Sequence, residues 1–399
     1  MVVLRSIVVI LNIVLLIPSI YYFIFGLFPL FIKKKEEKTT YKKNKFKILI
    51  AARNEEVVIP NLIESIKKQN YPKELYSILV IANNCTDKTK EVSLKAGAQV
   101  LELNKNITCK GDCLNYVFKM DKDDNSFDAY LIFDADNILH PNFLEEINKE
   151  LEKGYMAVQG FRDTKNLYDS FTSGSYALFF YLQNEFVNKT RTNIGMSANI
   201  NGTGYALKKE LINLIDCTTV TKTEDTELTT ILALNNIKVG YTERAICYDE
   251  QVEKFNLSFK QRKRWVQGSI QTFKKYYKEI ILNFSKVSKI PLIDISLVLL
   301  LPFIQIITLF LTLTTTIVFF NLYIMISFSL VLYLSCTVMS LYLTIHYKKN
   351  VKKMLPAIFM FAFFNISWMP ICLYSVLTKT SKWEVIKHTR NVKIGDILD

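Results

Sequence analysis

The chain of 399 residues lacks several features that would place it in other protein classes. Its seven cysteines include no Cys-X-X-Cys pair and follow no regular spacing, which excludes a disulfide scaffold and favours free thiols in the cytosol. Residues 6–32 carry no charge and have no small-residue cleavage site before Lys33, which excludes a cleaved secretory signal. No segment concentrates the net charge of +13 on a soluble face, so we expect no nucleic acid partner.

Positive charge instead flanks the long apolar stretches. Residues 33–47 hold eight lysines and two glutamates, and further lysines lie at positions 348, 349, 352 and 353. Lysine-rich loops of this kind mark the cytoplasmic side of a membrane protein. We therefore predict an N-terminal transmembrane helix (1–32), a basic cytosolic linker (33–47), about three C-terminal transmembrane helices (291–378) and a basic tail (379–399).

The charge pattern conflicts with a simple count of membrane crossings. A first helix that enters the cytosol puts Met1 outside, and the charge-free residues 295–345 suffice for a hairpin that returns at the lysine cluster. A full crossing by residues 354–378 would then place the basic tail outside, against the positive-inside rule. Two alternatives remain. Either the tail is an exception, or one C-terminal segment is interfacial or re-entrant and is broken at Pro356 or Pro370.

Between the membrane segments, residues 48–253 have the alternating pattern of an α/β domain. Amphipathic stretches predict helices at 55–68 and 89–96, and short apolar runs predict strands at 48–52, 78–82, 98–101, 130–133 and 155–159. Strands that alternate with helices indicate a parallel sheet covered by helices. Ligands bind such sheets at the carboxyl ends of the strands, so the residues that follow the apolar runs are the candidate site.

Polar segments follow the first two predicted strands. Asn54 and Glu55 come directly after the first strand, and Asn83, Cys85 and their polar neighbours follow the second. Both segments fit a turn with a helix cap, because small polar and acidic side chains stabilise helix N-termini. The second segment can alternatively hydrogen-bond the edge of a base or a ribose.

Two acidic segments offer the carboxylates for chemistry. Asp134 and Asp136 flank one small residue at the end of the fourth predicted strand, where they suit a divalent metal bound to a diphosphate. Glu224 and Asp225 lie near the start of a predicted helix, and a carboxylate there can deprotonate an attacking hydroxyl. The same segment fits a capping box between Thr223 and residue 226 or 227, and the two interpretations are compatible.

A basic and aromatic segment precedes the C-terminal apolar stretches. Gln261-Arg262-Lys263-Arg264-Trp265 joins guanidinium groups that suit a diphosphate to an indole ring that suits a sugar face. Residues 269–289 mix aromatic side chains with lysines, which is also typical of an amphipathic helix on a membrane surface. We assign residues 254–290 to this motif and to interfacial amphipathic helices.

Taken in order, these five segments resemble those of the inverting family 2 glycosyltransferases, whose GT-A fold is an α/β domain with a Rossmann-like mixed sheet. The likeness is strongest to the processive membrane synthases of cellulose, hyaluronan and poly-N-acetylglucosamine. Those enzymes carry an Asn-Glu turn, an acidic loop and DxD, TED and QxxRW motifs in this order. The resemblance covers residues 47–275 and implies a cytosolic GT-A domain (48–253) flanked by transmembrane helices.

The resemblance implies a role for each matching residue. Asp134 and Asp136 would bind Mg²⁺ or Mn²⁺ and the donor diphosphate, and Asp225 would be the general base, with Glu224 beside it. The other residues implied to bind substrate are Asn54, Glu55, Asn83, Lys110, Asp112, Gly202, Thr203, Gln261, Arg262, Arg264 and Trp265. Asn83 stands where the family usually has an aspartate. Its amide can still accept a hydrogen bond from a base, but it carries no charge.

The implied function is transfer of a sugar from a UDP-sugar to a growing polysaccharide at the cytosolic face of a cell membrane, with coupled export. A transferase that adds one sugar to a lipid or lipid-linked acceptor is the alternative, because the membrane part is small. A transporter or scaffold with a degenerate domain is opposed by the intact carboxylates. A nucleotidyltransferase is opposed by QxxRW and the membrane helices.

The expected partners follow from the same resemblance. They are the UDP-sugar, the polysaccharide or lipid-linked acceptor, membrane lipids, and a small membrane subunit or a second copy of the chain. High usage of lysine, isoleucine and asparagine is typical of an AT-rich bacterial source.

Overall fold

The computed structural model of the chain describes residues 2–27, 32, 41–104, 107, 109–378 and 388–398. The strands in these ranges are β1 (Phe46–Ala52), β2 (Tyr76–Asn83), β3 (Gln99–Leu103), β4 (Ala129–Asp134), β5 (Ile138–Leu139), β6 (Ala157–Thr164), β7 (Tyr205–Lys208) and β8 (Val239–Asp249). The helices up to β8 are α1 (Val2–Leu27), α2 (Ile59–Lys67), α3 (Thr89–Lys95), α4 (Lys110–Met120), α5 (Phe143–Glu152), α6 (Phe171–Leu182), α7 (Thr190–Asn193), α8 (Lys209–Leu214) and α9 (Glu224–Leu234). The later helices are α10 (Phe255–Asn283), α11 (Lys289–Val318), α12 (Leu322–His346), α13 (Val351–Ile366), α14 (Trp368–Leu377) and α15 (Gly395–Leu398). A π-helical segment, Gln183–Lys189, joins α6 to α7.

One mixed sheet of eight strands forms the centre of the domain, in the order β3-β2-β1-β4-β7-β6-β8-β5. The pairs of β1 with β2, β1 with β4, β2 with β3, and β6 with β8 are parallel. β7 is antiparallel to both β4 and β6, and it therefore joins a parallel half to a second half. The predicted mixed α/β sheet is confirmed, and all five predicted strands are present. Three strands had no predicted counterpart, namely the short strands β5 and β7 and the long strand β8.

The central strand β1 is largely buried on both faces, which accounts for its almost unbroken apolar sequence. Ile48 and Ile50 belong to a core cluster that includes residues of α2 and α5. Leu49 belongs to a second cluster, with residues of α4 and α6. Successive side chains of a strand point to opposite faces, so one apolar strand stabilises both helical layers.

The helix predicted at residues 55–68 begins later, at Ile59. Asn54 has a φ of 59°, in the left-handed region that asparagine tolerates better than most residues, so the chain turns sharply after β1. Pro60 then occupies the first helical turn, where its missing N–H removes no intrahelical hydrogen bond. The polar residues after β1 therefore form a turn at the edge of the sheet.

Four helical stretches of the described residues are long and apolar enough to cross a membrane. They are Val3–Leu27 in α1, the helices α11 and α12, and Val351–Leu377, which comprises α13 and α14. The predicted flanking apolar helices and the α11–α12 hairpin are thus present. Residues 28–31 of the predicted first helix, 33–40 of the linker and 379–387 of the tail lie outside the described residues.

A buried polar cluster connects α1 and α11 to the sheet domain. Asp294 of α11 forms an ion pair with Arg191 of α7 at 3.1 Å and accepts a hydrogen bond from the Tyr21 hydroxyl of α1 at 2.8 Å. Both charged side chains are almost fully buried. Removing one partner of a buried pair leaves an uncompensated charge, so this cluster fixes the apolar helices to the domain.

The C-terminal helices correct one detail of the sequence interpretation and decide between the two prolines named for a break. The interfacial helices expected at residues 254–290 are mainly one continuous helix, α10, that packs on α9, α11 and α14. The apolar stretch that follows α12 is broken between α13 and α14 at Ser367. Pro370 accounts for the break better than Pro356, because it follows Ser367 and cannot donate a hydrogen bond to Ile366, whereas Pro356 lies within α13.

Candidate active site

The carboxyl ends of β1, β2 and β4 meet at one cleft of about 1080 Å³. Their last residues, Ala52, Asn83 and Asp134, all line it, because neighbouring parallel strands end at the same edge of the sheet. The carboxylate end of the cleft is lined by Asp134, Asp136, Glu224, Asp225 and Asp249. The apolar end of the cleft is lined by Ile295, Val298, Leu301, Pro302, Trp368 and Cys372 of α11 and α14.

The turn after β4 is fixed by hydrogen bonds that the sequence did not reveal. The backbone N–H of Asp134 donates to the side chain of Asn137 and to the hydroxyl of Thr203, each at 3.0 Å. The Thr203 hydroxyl in turn donates to Asn137. Asp136 accepts a hydrogen bond from the backbone N–H of Glu250 at 2.8 Å. These contacts hold both predicted metal ligands at the cleft.

Lys110, the first residue of α4, joins the two predicted acidic segments. Its ammonium group lies 2.6 Å from a carboxylate oxygen of Asp134 and 3.8 Å from one of Glu224, and it donates to the carbonyl of Gly202 at 2.7 Å. Gly202 has a φ of 81°, and a Cβ there would lie 3.1 Å from Asp225. A glycine is therefore required for this turn to pass so close to the carboxylate.

The two acids at the start of α9 have perturbed pKa values. Burial raises the pKa of Glu224 to about 7 against the opposing effect of Lys110, and the charge of Asp225 adds to the increase. Burial also raises the pKa of Asp225, against a hydrogen bond from the backbone N–H of Thr226. Carboxylates perturbed in this way, in a cleft and beside a fixed cation, are typical of catalytic groups.

The helix capping box offered as the alternative for this segment does not form. The hydroxyl of Thr223 has no hydrogen-bond partner among the described residues, although it is buried. Glu227 instead accepts hydrogen bonds from the backbone N–H groups of Val220 and Thr221, both at 2.7 Å. The side chain of Glu227 thus shapes the loop that precedes α9.

The second half of the sheet adds an ion pair that sequence reasoning missed. Arg162 of β6 and Asp249 at the end of β8 form a salt bridge, and Arg162 also donates to the carbonyl of Asn201 at 2.7 Å. Burial raises the pKa of Asp249 to about 6, with Asp136 adding to the increase and Arg162 opposing it. The only available signal was an acid at a strand end, and β8 had not been predicted.

The C-terminal residues return to the carboxylate end of the cleft. The imidazole of His388 lies 2.9 Å from Glu55, and both side chains line the cleft. Burial by itself lowers the pKa of His388, but the charges of Asp136 and Glu55 outweigh it and raise the pKa to about 10. The sequence predicted Glu55 as a site residue and gave no sign of His388.

The basic and aromatic motif lies on α10 along the wall of the cleft. Gln261, Arg264 and Trp265 line the cleft, as the resemblance implied. The indole of Trp265 packs edge-on against Tyr176, with ring centres 5.9 Å apart, and stacks with Trp368 at 6.3 Å. Trp265 therefore lies in the cleft wall beside Trp368 of the apolar end.

The structure corrects the expectation for Arg262, which does not face the cleft. Its guanidinium group is fully buried and donates to the carbonyl of Phe364 at 3.1 Å and to the hydroxyl of Ser367 at 2.7 Å. The rings of Phe364 and Trp368 lie 4.3 and 5.2 Å from its central carbon. Arg262 therefore stabilises the break between α13 and α14 rather than a pyrophosphate.

Three other predicted substrate ligands also lie outside the cleft lining, and each supports it indirectly. Asn54 accepts a hydrogen bond from the backbone N–H of Thr86 at 2.8 Å, which ties the turn after β1 to the loop after β2. Asp112 accepts from the backbone N–H of Cys109 and so caps α4, which begins at Lys110. Thr203 holds Asp134, as described above. Direct substrate contact by these three side chains has no support in this geometry.

Comparison with known proteins agrees with the fold and the site. Residues 44–268 match the family described as glycosyltransferase like family 2. A beta-monoglucosyldiacylglycerol synthase of Nostoc sp. is 26% identical over 250 residues, which cover 59% of this chain and 51% of that protein. The probable glycosyltransferase YdaM of Bacillus subtilis is 25% identical over 60% of each chain. The chain thus spans about half of the length of the first of these curated relatives.

A solved structure extends the likeness beyond the sheet domain. The mannosyltransferase PcManGT from Pyrobaculum calidifontis, in complex with GDP-Man and Mn²⁺, covers 92% of this chain and 99% of its own, with a TM-score of 0.60. Its sequence identity of 16% makes this a likeness of fold. Because the family match takes in more than half of the chain, from β1 through the α10 motif, the protein belongs to the family 2 glycosyltransferases and has their mixed α/β GT-A fold.

Proposed function

We propose that this glycosyltransferase moves one sugar from a nucleotide sugar to a lipid acceptor at a membrane surface. The observation that carries the proposal is the continuity of the cleft, since Asp134, Asp225 and Leu301 line one cavity. Leu301 of α11 is 47% exposed, so the apolar end is open at the surface of a helix apolar enough to cross a membrane. An acceptor with a polar head and apolar chains matches both ends of this cleft.

The carboxylate end fits a nucleotide sugar bound with Mg²⁺ or Mn²⁺. Among the described residues, no group of three or more His, Cys, Asp and Glu side chains could hold a metal ion alone. Asp134 and Asp136 offer the one or two carboxylates that Mg²⁺ uses when substrate phosphates and water complete its coordination. Such a metal, when bound, neutralises charge on the leaving diphosphate. Arg264 lines the cleft, and its guanidinium group would donate to the same diphosphate.

The acidic pair at the start of α9 supplies the base. The acceptor hydroxyl gives its proton to the Asp225 carboxylate and attacks the anomeric carbon from the face opposite the nucleoside diphosphate. The bond from that carbon to the diphosphate oxygen breaks, and the configuration of the sugar inverts. Lys110, fixed between Asp134 and Glu224, contributes a positive charge beside the developing negative charge.

Single addition is better supported than the processive synthesis that the sequence motifs favoured. The relative from Nostoc sp. is named for glucosylation of diacylglycerol, and this name supports a lipid acceptor here. The QxxRW motif is the remaining support for a processive enzyme, and its Trp265 already packs between Tyr176 and Trp368.

The product distinguishes the two functions. The full chain in nanodiscs would be incubated with Mn²⁺ or Mg²⁺, a panel of UDP- and GDP-sugars, and diacylglycerol or polyprenyl phosphate. We expect one donor to yield a lipid that is one sugar heavier by mass spectrometry, and product formation to be about 100-fold or more slower with the Asp225→Asn variant. A ladder of longer products would establish the processive function instead. Nucleotide release without a glycosylated lipid would contradict the lipid acceptor.

A further inference from the structure

The apolar stretch of α13 and α14 begins in contact with the catalytic domain. Just before α13, the ammonium group of Lys349 lies 2.8 Å from the carboxylate of Asp163, at the end of β6. The backbone N–H of Asn350 donates to the hydroxyl of Tyr168 at 3.0 Å. The first end of this stretch is therefore fixed to the sheet domain by a salt bridge and a hydrogen bond.

The middle of the stretch stays against the same domain. Ala357 and Phe361 of α13 belong to the core cluster that includes strand residues of the sheet. At Gly174 of α6, an added Cβ would lie only 2.6 Å from the Cβ of Ala357, so the two helices are in very close contact. Arg262 of α10 then binds the carbonyl of Phe364 at the break. One face of α13 is thus packed as part of the protein core.

The far end of the stretch also returns to the domain. The side chain of Gln267 on α10 donates to the carbonyl of Thr378, directly after α14, at 2.7 Å. Further along the chain, His388 meets Glu55, and Asn391 accepts a hydrogen bond from Asn61 of α2 at 2.9 Å. Ile394 is buried against Ile138 and Tyr248 of the sheet. Both ends of α13–α14 therefore contact one folded domain.

A helix that crosses a bilayer leaves its two ends on opposite sides, about 30 Å apart. At 1.5 Å per residue, the 27 residues of Val351–Leu377 span about 40 Å, so length alone would allow a crossing, and the contacts of the stretch decide. A crossing would carry Leu377 about one membrane thickness away from the domain, whereas α13 packs on α6 and Thr378, directly after α14, is bonded to α10. We propose that α13–α14 does not cross the bilayer but lies on the membrane surface, with the C-terminus on the same side as the catalytic domain.

The surface of α13–α14 that faces away from the domain fits a lipid partner. Its exposed side chains are apolar and include Phe359, Phe363, Ile366, Val376 and Leu377, with exposures between 47% and 74%. Lys348, Lys352 and Lys353 stand at the start of the stretch and are exposed. An apolar face next to a basic end is the pattern of a helix buried shallowly in the headgroup and acyl boundary.

This arrangement removes the conflict over the basic tail. With α1, α11 and α12 as the crossing helices, the lysines at 42, 43, 45 and 47, those at 348–353 and the described tail residues 388–398 all lie on the side of the catalytic domain. The positive-inside rule then holds for every basic segment of the chain if the catalytic domain is cytosolic. The proposal does not depend on which sugar or acceptor the enzyme uses.

Cysteine labelling with a membrane-impermeant maleimide tests the proposal on the full-length protein. Single cysteines would be introduced at Gly395, where an added Cβ meets nothing within 4 Å, at exposed Lys122 of the catalytic domain, and at Phe320 between α11 and α12. Cys85 and Cys336, the two native cysteines that are not fully buried, would be replaced by serine in every variant.

Labelling would be compared in membrane vesicles of both orientations. We expect the Gly395→Cys and Lys122→Cys variants to react in the same vesicles and the Phe320→Cys variant to react only in the opposite ones, at least tenfold faster in each case. Reaction of the Gly395 variant together with the Phe320 variant would overturn the proposal, because it would place the tail across the membrane. Labelling of the Lys122→Cys variant, in the vesicles where the catalytic domain faces the reagent, gives the reference rate for a folded protein.

Discussion

The carboxylate end and the apolar end of the cleft are built by different means. At the carboxylate end, Lys110 and Asp134 are held by ion pairs and hydrogen bonds of 2.6 to 3.0 Å that begin at the ends of strands. At the apolar end, Val298 and Leu301 depend on packing between helices that contact the domain through α9 and α10. Ion pairs and hydrogen bonds therefore position the reacting groups at the carboxylate end, whereas packing at the apolar end selects an acceptor by its apolar area. Substitutions should therefore affect the two ends differently.

The largest expected effect is the loss of the base at the carboxylate end. The Asp225→Asn variant should lose about 10²- to 10⁴-fold in kcat, because the amide cannot accept the proton of the acceptor hydroxyl. The loss should be equal for long-chain and short-chain lipid acceptors, and donor binding measured by calorimetry should remain. The matched control is Asp123→Asn, an exposed aspartate away from the cleft. A variant that loses activity only with long-chain lipids would place Asp225 in acceptor binding and contradict the role as base.

The two arginines of the α10 motif give the second largest contrast. Arg264→Ala should lower kcat about 10²- to 10³-fold with an unchanged thermal midpoint, because it removes a donor to the leaving diphosphate. Arg262→Ala should instead lower the free energy of unfolding by about 1–3 kcal/mol, because the carbonyl of Phe364 and the hydroxyl of Ser367 lose a buried charged donor. Thermal unfolding in detergent and initial rates would be measured side by side. The reverse assignment of the two losses would show that Arg262 turns into the cleft.

A smaller effect is expected at the apolar end. Leu301→Asn should raise the KM for a long-chain lipid acceptor about tenfold or more, because burying a leucine side chain contributes about 1.5–3 kcal/mol. The KM for the donor and the rate with a short-chain acceptor should not change. Leu313→Asn on the same helix, at 53% exposure and outside the cleft lining, is the control. Equal effects of the two substitutions would mean that the acceptor chains do not lie at Leu301.

The smallest effect is expected on membrane insertion, in a comparison of α13, which borders the cleft, with α12, which does not. Val331 of α12 and Phe363 of α13 are similarly exposed, at 59% and 55%. Lysine near the centre of a crossing helix costs about 2.5–3.5 kcal/mol of insertion free energy, and less at a membrane surface where the ammonium reaches water. Val331→Lys should therefore reduce the membrane-inserted fraction after carbonate extraction by several-fold more than Phe363→Lys. Equal losses would indicate that α13 is as deeply buried in lipid as α12.

The fold was predictable where a short run of apolar residues forms an element that is buried on both faces. The runs that became β1, β2 and β4 are apolar on both faces, so composition alone indicated buried strands and placed Asn83 and Asp134 at their ends. β7, with four residues, and β8, with polar positions in its middle, carry no such signal. Their place in the sheet depends on partners distant in the sequence, and Asp249 at the end of β8 was missed for this reason. Arg162 lies in β6 beyond the predicted run 155–159, and its ion pair became visible only with Asp249.

The α10 motif shows, within a single segment, how far a sequence motif can predict which side chains face the cleft. Arg262 and Arg264 are two residues apart, which on a helix turns their side chains about 200° from each other. The motif therefore could not direct both guanidinium groups to one diphosphate, but the sequence did not reveal which of them faced the cleft. That choice was made by the rings of Phe364 and Trp368 from the following helices, which enclose Arg262.

The sequence by itself determined the strand ends that carry Asp134 and Asp136, the acidic start of α9 and the apolar helices, because each depends on local pattern and charge. Only the tertiary structure decided that Lys110 bridges the two acidic segments, that His388 returns to Glu55, and that α13–α14 begins and ends on the catalytic domain. These contacts join residues that are from 24 to more than 300 positions apart. Hydropathy records only that a segment avoids water, and packing decides whether lipid or protein covers it.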